Sequence, residues 1–182
     1  MSTDPAPDPF PRSRSRPDGA VVGIDFGGTK TEVALADSTG TPVRRIRFAT
    51  RPEQGPDRVL ARAGAAAREL AEYARSVLGL PVVAHAAVSP GVVRPDRILL
   101  TSNLPGWENL ALADRLVLEL GVDSVAVAND VRAGALAELR RGALRGADPG
   151  VYLSLGTGVA ADASLHGAIT LALDHRCVPA GR

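Results

Sequence analysis

A single cysteine, Cys177, allows no internal disulfide and no cysteine-based zinc site. Aromatic residues make up only 3% of the chain, so a core must be built from Ala, Val and Leu. No apolar run is long enough to span a bilayer, and the first residues lack the hydrophobic stretch of a secretory signal. A cytoplasmic, reducing location is the expectation. Neither sign of charge dominates: 21 basic residues face 20 acidic ones, for a net charge of +1. With no basic face or charge run, neither nucleic acid nor a membrane surface is an expected partner. Lysine is also nearly missing; Lys30 is the only one. What remains is 182 residues, 45% hydrophobic, enough for one good core or two small lobes.

The stretch Val21-Val22-Gly23-Ile24-Asp25-Phe26-Gly27-Gly28-Thr29-Lys30-Thr31 reads as strand, glycine turn, strand. A buried strand has no packing use for a carboxylate, so Asp25 calls for another reason. A carboxylate beside glycines suits Mg²⁺ near phosphates, with hard oxygen on the metal and bare backbone N–H groups on the anion. Thr29 adds a hydroxyl and Lys30 a compact cation. The P-loop pattern does not fit, because Thr29 separates Gly28 from Lys30 and a strand follows; the dinucleotide glycine pattern is absent. An ordinary hairpin with a glycine turn is the competing reading of this stretch by itself.

Residues 1–19 are rich in Pro, Arg and Asp and read as a disordered tail. The second strand, from Thr31 to about Ala36, interleaves polar and apolar residues as a half-buried strand would. Residues 42–50 suggest a third antiparallel strand. Gly55-Pro56-Asp57 opens a long helix to about residue 78, with Val59, Leu60, Ala63, Ala67, Leu70, Ala74 and Val77 on its apolar face and Gly79 as its stop. Residues 82–88 form a buried strand containing His85, to which no role is assigned, and 98–100 a short one. Asn109 is expected to cap a helix running to residue 120, closed by Gly121. Residues 125–128 and 151–155 read as further strands, with a helix over 131–141 between them. Residues 159–165 should continue extended to a turn at His166-Gly167, and Ile169 to Leu173 fits a strand or a helical turn equally. Three antiparallel strands, a helix, then strands alternating with helices imply an α/β domain with a mixed sheet. Its functional residues should gather at the carboxyl ends of the strands.

Several strand ends carry unusual residues. Asn129-Asp130 sits between a strand and a helix. These types suit a helix N-cap, and equally a general base with an amide beside it to direct the attacking hydroxyl. Gly156-Thr157-Gly158 is a second glycine turn with a hydroxyl, either a hairpin turn or a second set of N–H groups for phosphate.

Taken together, Asp25-Phe26-Gly27-Gly28-Thr29-Lys30-Thr31, Ser89-Pro90-Gly91, Ser102-Asn103-Leu104-Pro105-Gly106-Trp107, Ala128-Asn129-Asp130 and Leu155-Gly156-Thr157-Gly158-Val159 occur in the order found in the ROK family. The chain resembles these glucokinase-like sugar kinases from Val21 to about Gly167. The resemblance implies an actin-like ATPase (ribonuclease H-like) fold, α/β, with a mixed sheet, flanking helices, a first lobe and the start of a second. It implies ATP-dependent phosphorylation of a hexose, glucose by default. Asp130 would be the catalytic base. Asn103, Asn129 and Asp130 would bind the sugar, with Gly106 and Trp107 shaping its loop. Gly27, Gly28, Thr29 and Lys30 would line the first phosphate turn and Gly156, Thr157 and Gly158 the second. Asp25 would place Mg²⁺ through water. A homodimer is compatible with the sequence.

The chain departs from the family pattern after Gly158. Ala160, Ala161 and Asp162 follow where more glycines are usual, and residues 168–182 do not resemble the family's further sugar ligands, zinc site or adenosine-binding helices. The expectation is a kinase truncated near Gly167, with little turnover: a tail over 1–19, a first lobe over 20–142, the start of a second over 143–167 and a divergent tail over 168–182. The alternatives are a sugar-binding regulator, for which residues 1–19 are too short to hold a DNA-binding domain, and a non-catalytic remnant.

Overall fold

A computed structural model describes residues 19–101, 103–146, 152 and 164–175. Its centre is a five-stranded mixed sheet. Strands β1 (Ala20–Phe26), β2 (Lys30–Ala36) and β3 (Pro42–Ala49) form an antiparallel meander. Helix α1 (Pro56–Val77) then crosses over to β4 (Val82–Ser89), which pairs parallel to β1. A short ribbon, β5 (Val92–Val93) with β6 (Ile98–Leu99), precedes helix α2 (Leu112–Leu120). Strand β7 (Ala126–Asn129) adds parallel to β4, and helix α3 (Asp130–Arg141) follows without a break. The sheet order is β3-β2-β1-β4-β7. Helix α4 (Ser164–His175) ends the described chain.

The alternation of side chains along β1 divides the core in two. Val22, Ile24 and Phe26 face α1 and α2, where they meet Val33, Leu35, Val59, Leu70 and Leu116. Val21 faces the other way, with Ala34, Ala36, Ala84 and Ala86, and is covered by Ile169, Ala172 and Leu173 of α4. This second face is nearly all alanine, so the helix lies very close to the sheet. At Gly23 an added Cβ would stand 3.0 Å from the Ile169 nitrogen and 3.1 Å from the Ala168 carbonyl carbon. Only a hydrogen fits there. A core of small aliphatic side chains is what a chain this poor in aromatics can build.

The meander, α1, β4 and β7 lie where the sequence puts them, within a residue or two. Four expectations change. β2 is buried along almost its whole length rather than half-buried, because α1 covers one face and α4 the other. Val77 lies in the last turn of α1, beyond the sheet, and is 62% exposed. Asn109 is not a helix cap: its φ is +65° and its N–H donates to the Ile98 carbonyl at 2.8 Å, while α2 begins at Leu112 after Ala111. The ladder-like bonds between Ile98 and the 109–110 segment use the backbone that a cap would need. Finally, residues 164–167 are helical rather than extended, and Ile169 to Leu173 takes the helical alternative; the apolar sheet face decides in favour of α4. Residues 159–163 lie outside the described residues. Among the described residues no helix is long and apolar enough to cross a membrane.

A groove of about 630 Å³ opens near the amino ends of β1 and β4, lined by Arg68, Arg75, Leu80, His85 and Leu120. Burial pulls the His85 imidazole down from 6.5 to about 4.

Two stability measurements follow. Gly23→Val should drive α4 off the sheet and lower the unfolding free energy by about 1–3 kcal/mol in urea titrations; an unchanged midpoint would mean that α4 does not pack there. Because the folded state resists protonating His85 and the unfolded state does not, stability should be full above about pH 6.5. It should decline as the pH falls towards 4, by up to about 3 kcal/mol. His85→Gln should flatten that part of the pH–stability curve.

Candidate active site

The parallel strands β1, β4 and β7 end together. Asp25 pairs with Val88, and Val88 with Ala128, so Asp25 and the Asn129-Asp130 pair share one sheet edge. Two strand spacings of about 4.8 Å put their rows about 10 Å apart. Asp25 and Asp130 are therefore on the same side of the molecule.

Three loops close around this edge, and two glycines set how near they come. Gly27 and Gly28 turn β1 into β2, with the Gly27 N–H donating to the Lys30 carbonyl at 3.0 Å. A Cβ on Gly28 would stand 2.9 Å from the Asn103 Cβ and 3.0 Å from its carbonyl oxygen. The first glycine turn and the Asn103 loop are thus in contact, although 75 residues apart in number. Gly91, at φ +94°, has the same relation to the other end of that loop: a Cβ there would meet the Leu99 oxygen and the Thr101 Cγ2 at 2.9 Å. Trp107 is fully buried and packs edge-on against Phe26, with ring centroids 5.0 Å apart, which ties the loop to the end of β1. Leu100 holds a left-handed backbone (φ +55°) and is 79% exposed beside Gly91. Asn103 and Thr29 are exposed, and Lys30 is half-buried.

Asn129 is both cap and tether. Its side-chain oxygen accepts from the Arg132 N–H at 3.1 Å, capping α3. Its amide nitrogen donates to the Gly91 carbonyl at 2.8 Å and to an Asp130 carboxylate oxygen at 3.0 Å. The Val131 N–H donates to that same Asp130 oxygen at 2.8 Å. Burial raises the Asp130 carboxyl above the ordinary 3.8, against the opposing pull of these donors. A half-buried carboxylate with a raised pKa at a strand end is suited to accepting a proton.

Of the residues singled out from sequence, Asp25, Gly27, Gly28, Thr29, Lys30, Asn103, Asn129 and Asp130 come to this one edge. Gly156, Thr157 and Gly158 lie outside the described residues. Sequence reasoning missed Glu32, which pairs directly with Asp25 across β1 and β2 and is 5% exposed. Arg47 reaches it at 2.9 Å and Arg45 at 3.5 Å. The signal was available: a carboxylate in an apolar strand singled out Asp25 and applies equally to Glu32. Thr31, Thr50 and Arg62 were also missed, and they carry no local signature. Among the described residues no cluster of three or more His, Cys, Asp or Glu is placed to hold a metal.

Asn129→Ala should cost about 1–2 kcal/mol by removing the cap. Asn129→Ser, which can still accept from Arg132 without placing a second negative charge beside Asp130, should restore part of that loss in chemical denaturation; equal destabilisation by both would mean that the cap contributes nothing.

The model of the ROK family matches residues 21–170. A glucokinase from Thermotoga maritima is 31% identical over 150 residues, covering 81% of this chain and 45% of that protein. A ROK family glucokinase from Streptomyces griseus, solved in complex with glucose and AMPPNP, superposes with a TM-score of 0.62 at 29% identity, over 78% of this chain and 43% of the other. A ROK family transcriptional regulator, a homologue of the E. coli MLC protein, superposes with a TM-score of 0.51 at 25% identity, over 69% and 31%. The chain spans about half the length of the curated relatives it matches. The sheet and its flanking helices have the actin-like ATPase fold of these glucokinases. By family match and fold alike, this chain belongs to the ROK family.

Proposed function

We propose that the chain forms the sugar-binding half, with the first phosphate turn, of an ATP-dependent hexose kinase, glucose being the default substrate. The observation that supports this best is the convergence at the sheet edge: Gly28 against Asn103, and Asn129 tethered to Gly91, bring amide, carboxylate and bare N–H groups from four distant segments to one place. In this reading Asn103 and Asn129 hydrogen-bond sugar hydroxyls. Asp130 accepts the proton of the hydroxyl that attacks the γ-phosphorus; the O–P bond forms as the bond to the ADP oxygen breaks. Gly27, Gly28, Thr29 and Lys30 meet phosphate oxygens as the first phosphate turn, with Gly156, Thr157 and Gly158 assigned to the second.

A divalent cation fits the donors present. Asp25 supplies hard carboxylate oxygen beside a turn with no Cβ in the way, while the charge of its cross-strand neighbour Glu32 is taken up by Arg47 and Arg45. Mg²⁺ held by Asp25 through water would neutralise phosphate charge. The sequence-based division, with 1–19 and 168–182 as flanking segments, residues 20–142 as the first lobe and 143–167 leading into a second, takes one change in this reading: α4 (Ser164–His175) packs on the sheet of the first lobe and belongs with it. The likeness to a ROK transcriptional regulator favours one other reading, a sugar-binding regulator without transfer.

The deciding experiment is glucose binding alongside a coupled ATP assay. Asp130→Asn should lower phosphoryl transfer by two to four orders of magnitude relative to the parent, while glucose affinity changes less than tenfold. Transfer at the parental rate would remove Asp130 as the base; a parent that binds glucose but no Mg·ATP would favour the regulator. Because burial raises the Asp130 carboxyl, the acid limb of the pH–rate profile should lie above 3.8 and disappear in Asp130→Asn.

A further inference from the structure

The first glycine turn does not hold its own shape. Its bracing comes from Thr50, the residue that follows β3, which is fully buried. The Thr50 N–H donates to the Thr29 carbonyl at 2.9 Å. Its hydroxyl donates to the Gly27 carbonyl at 2.6 Å. One hydroxyl has one proton, so the 2.9 Å contact with Thr31, also fully buried, must run from the Thr31 hydroxyl to the Thr50 oxygen. Thr50 thus grips the turn at Gly27 and Thr29 and also accepts from Thr31, the first residue beyond it.

Thr50 is held from behind in turn. Arg51 takes a left-handed backbone (φ +51°), and the short 3₁₀ turn Pro52–Gln54 swings the chain round into α1. Arg62 on that helix reaches back to donate to the Thr50 carbonyl and, at 2.6 Å, to Gln54 Oε1; its guanidinium lies over the Phe48 ring, 5.8 Å from the centroid. This chain of contacts runs through the buried Thr50 and Thr31 side chains beneath the turn. Its effect is on where the Gly27, Gly28 and Thr29 amides stand.

We infer that Thr50, braced by Arg62, is the positioning residue that fixes the first glycine turn for a polyphosphate ligand. The inference rests on the phosphate reading of that turn. Thr50→Val keeps the shape but removes both the proton that holds the half-buried Gly27 carbonyl and the oxygen that receives the buried Thr31 hydroxyl. Thr50→Ser keeps both.

The test uses the full chain, with Mg·ATP and glucose as separate probes and amide hydrogen exchange as a readout that needs no ligand. Thr50→Val should weaken Mg·ATP binding tenfold or more and leave glucose within twofold. It should speed exchange across residues 27–31 at least tenfold, with residues 84–88 unchanged. Thr50→Ser should stay within threefold of the parent throughout. Should Thr50→Val not fold, Arg62→Met, which removes only the outer brace, should show the same pattern at smaller size. Parental Mg·ATP affinity and exchange in Thr50→Val, or equal losses for both ligands, would overturn the inference. A parent that binds no Mg·ATP would instead overturn the phosphate reading, and exchange alone would then decide whether Thr50 holds the turn.

Discussion

Strand β1 has to be buried on both faces at once. It runs through the middle of the sheet, hydrogen-bonded to antiparallel β2 on one side and parallel β4 on the other. Val22, Ile24 and Phe26 demand a helical layer on one face, and Val21 and Gly23 on the other. α1 and α2 supply the first layer and α4 the second. Each layer is cut to the size of the residues it meets: leucines and valines opposite the larger side chains, and a closely approaching helix opposite alanines and a glycine. With β1 fixed in this way, its parallel neighbours end beside Asp25, and the geometry of the site is a consequence of the register.

The sheet edge gathers negative charge in an orderly way. Asp25, Glu32 and Arg47 lie in one row across three strands. Two carboxylates directly opposite each other would repel, but Arg47 and Arg45 neutralise the inner one. The edge thus keeps an acid at the end of β1 without two uncompensated charges in a buried strand. At the other end of the row of strands, Asp130 is shielded by burial and steadied by Asn129 and Val131. The two acids therefore occupy different settings, one among charges and one among amides.

Much of this was legible in the sequence, and the exceptions have physical reasons. The meander was readable from glycine turns between apolar runs, and α1 from its periodicity and Pro56. Asn129 and Asp130 stood out because polar residues at a strand–helix junction must serve a cap, a site or both, and here Asn129 caps α3 while Asp130 stands beside it. Gly121 closes α2 in the left-handed conformation, as its position suggested. What could not be read depends on partners far away in the chain. Asn109 has the composition of a cap, but its backbone is claimed by Ile98. Ile169 to Leu173 has no preference of its own, and the alanine face of the sheet decides it. Thr50 and Arg62 look like ordinary loop and helix residues until the fold brings them behind Gly27. Contacts of this kind are made by tertiary packing and leave no spacing to recognise.

The covering of the second sheet face has a consequence for how the chain is made. The strands that need α4 lie near the start of the sequence, while α4 itself lies on the order of 150 residues later, so this pairing is among the most non-local in the molecule. On the ribosome, the alanine face of β1, β2 and β4 stays wet until α4 has left the exit tunnel. During that interval the nascent sheet presents a bare apolar surface, which makes it a natural client for chaperones that shield exposed hydrophobic surface.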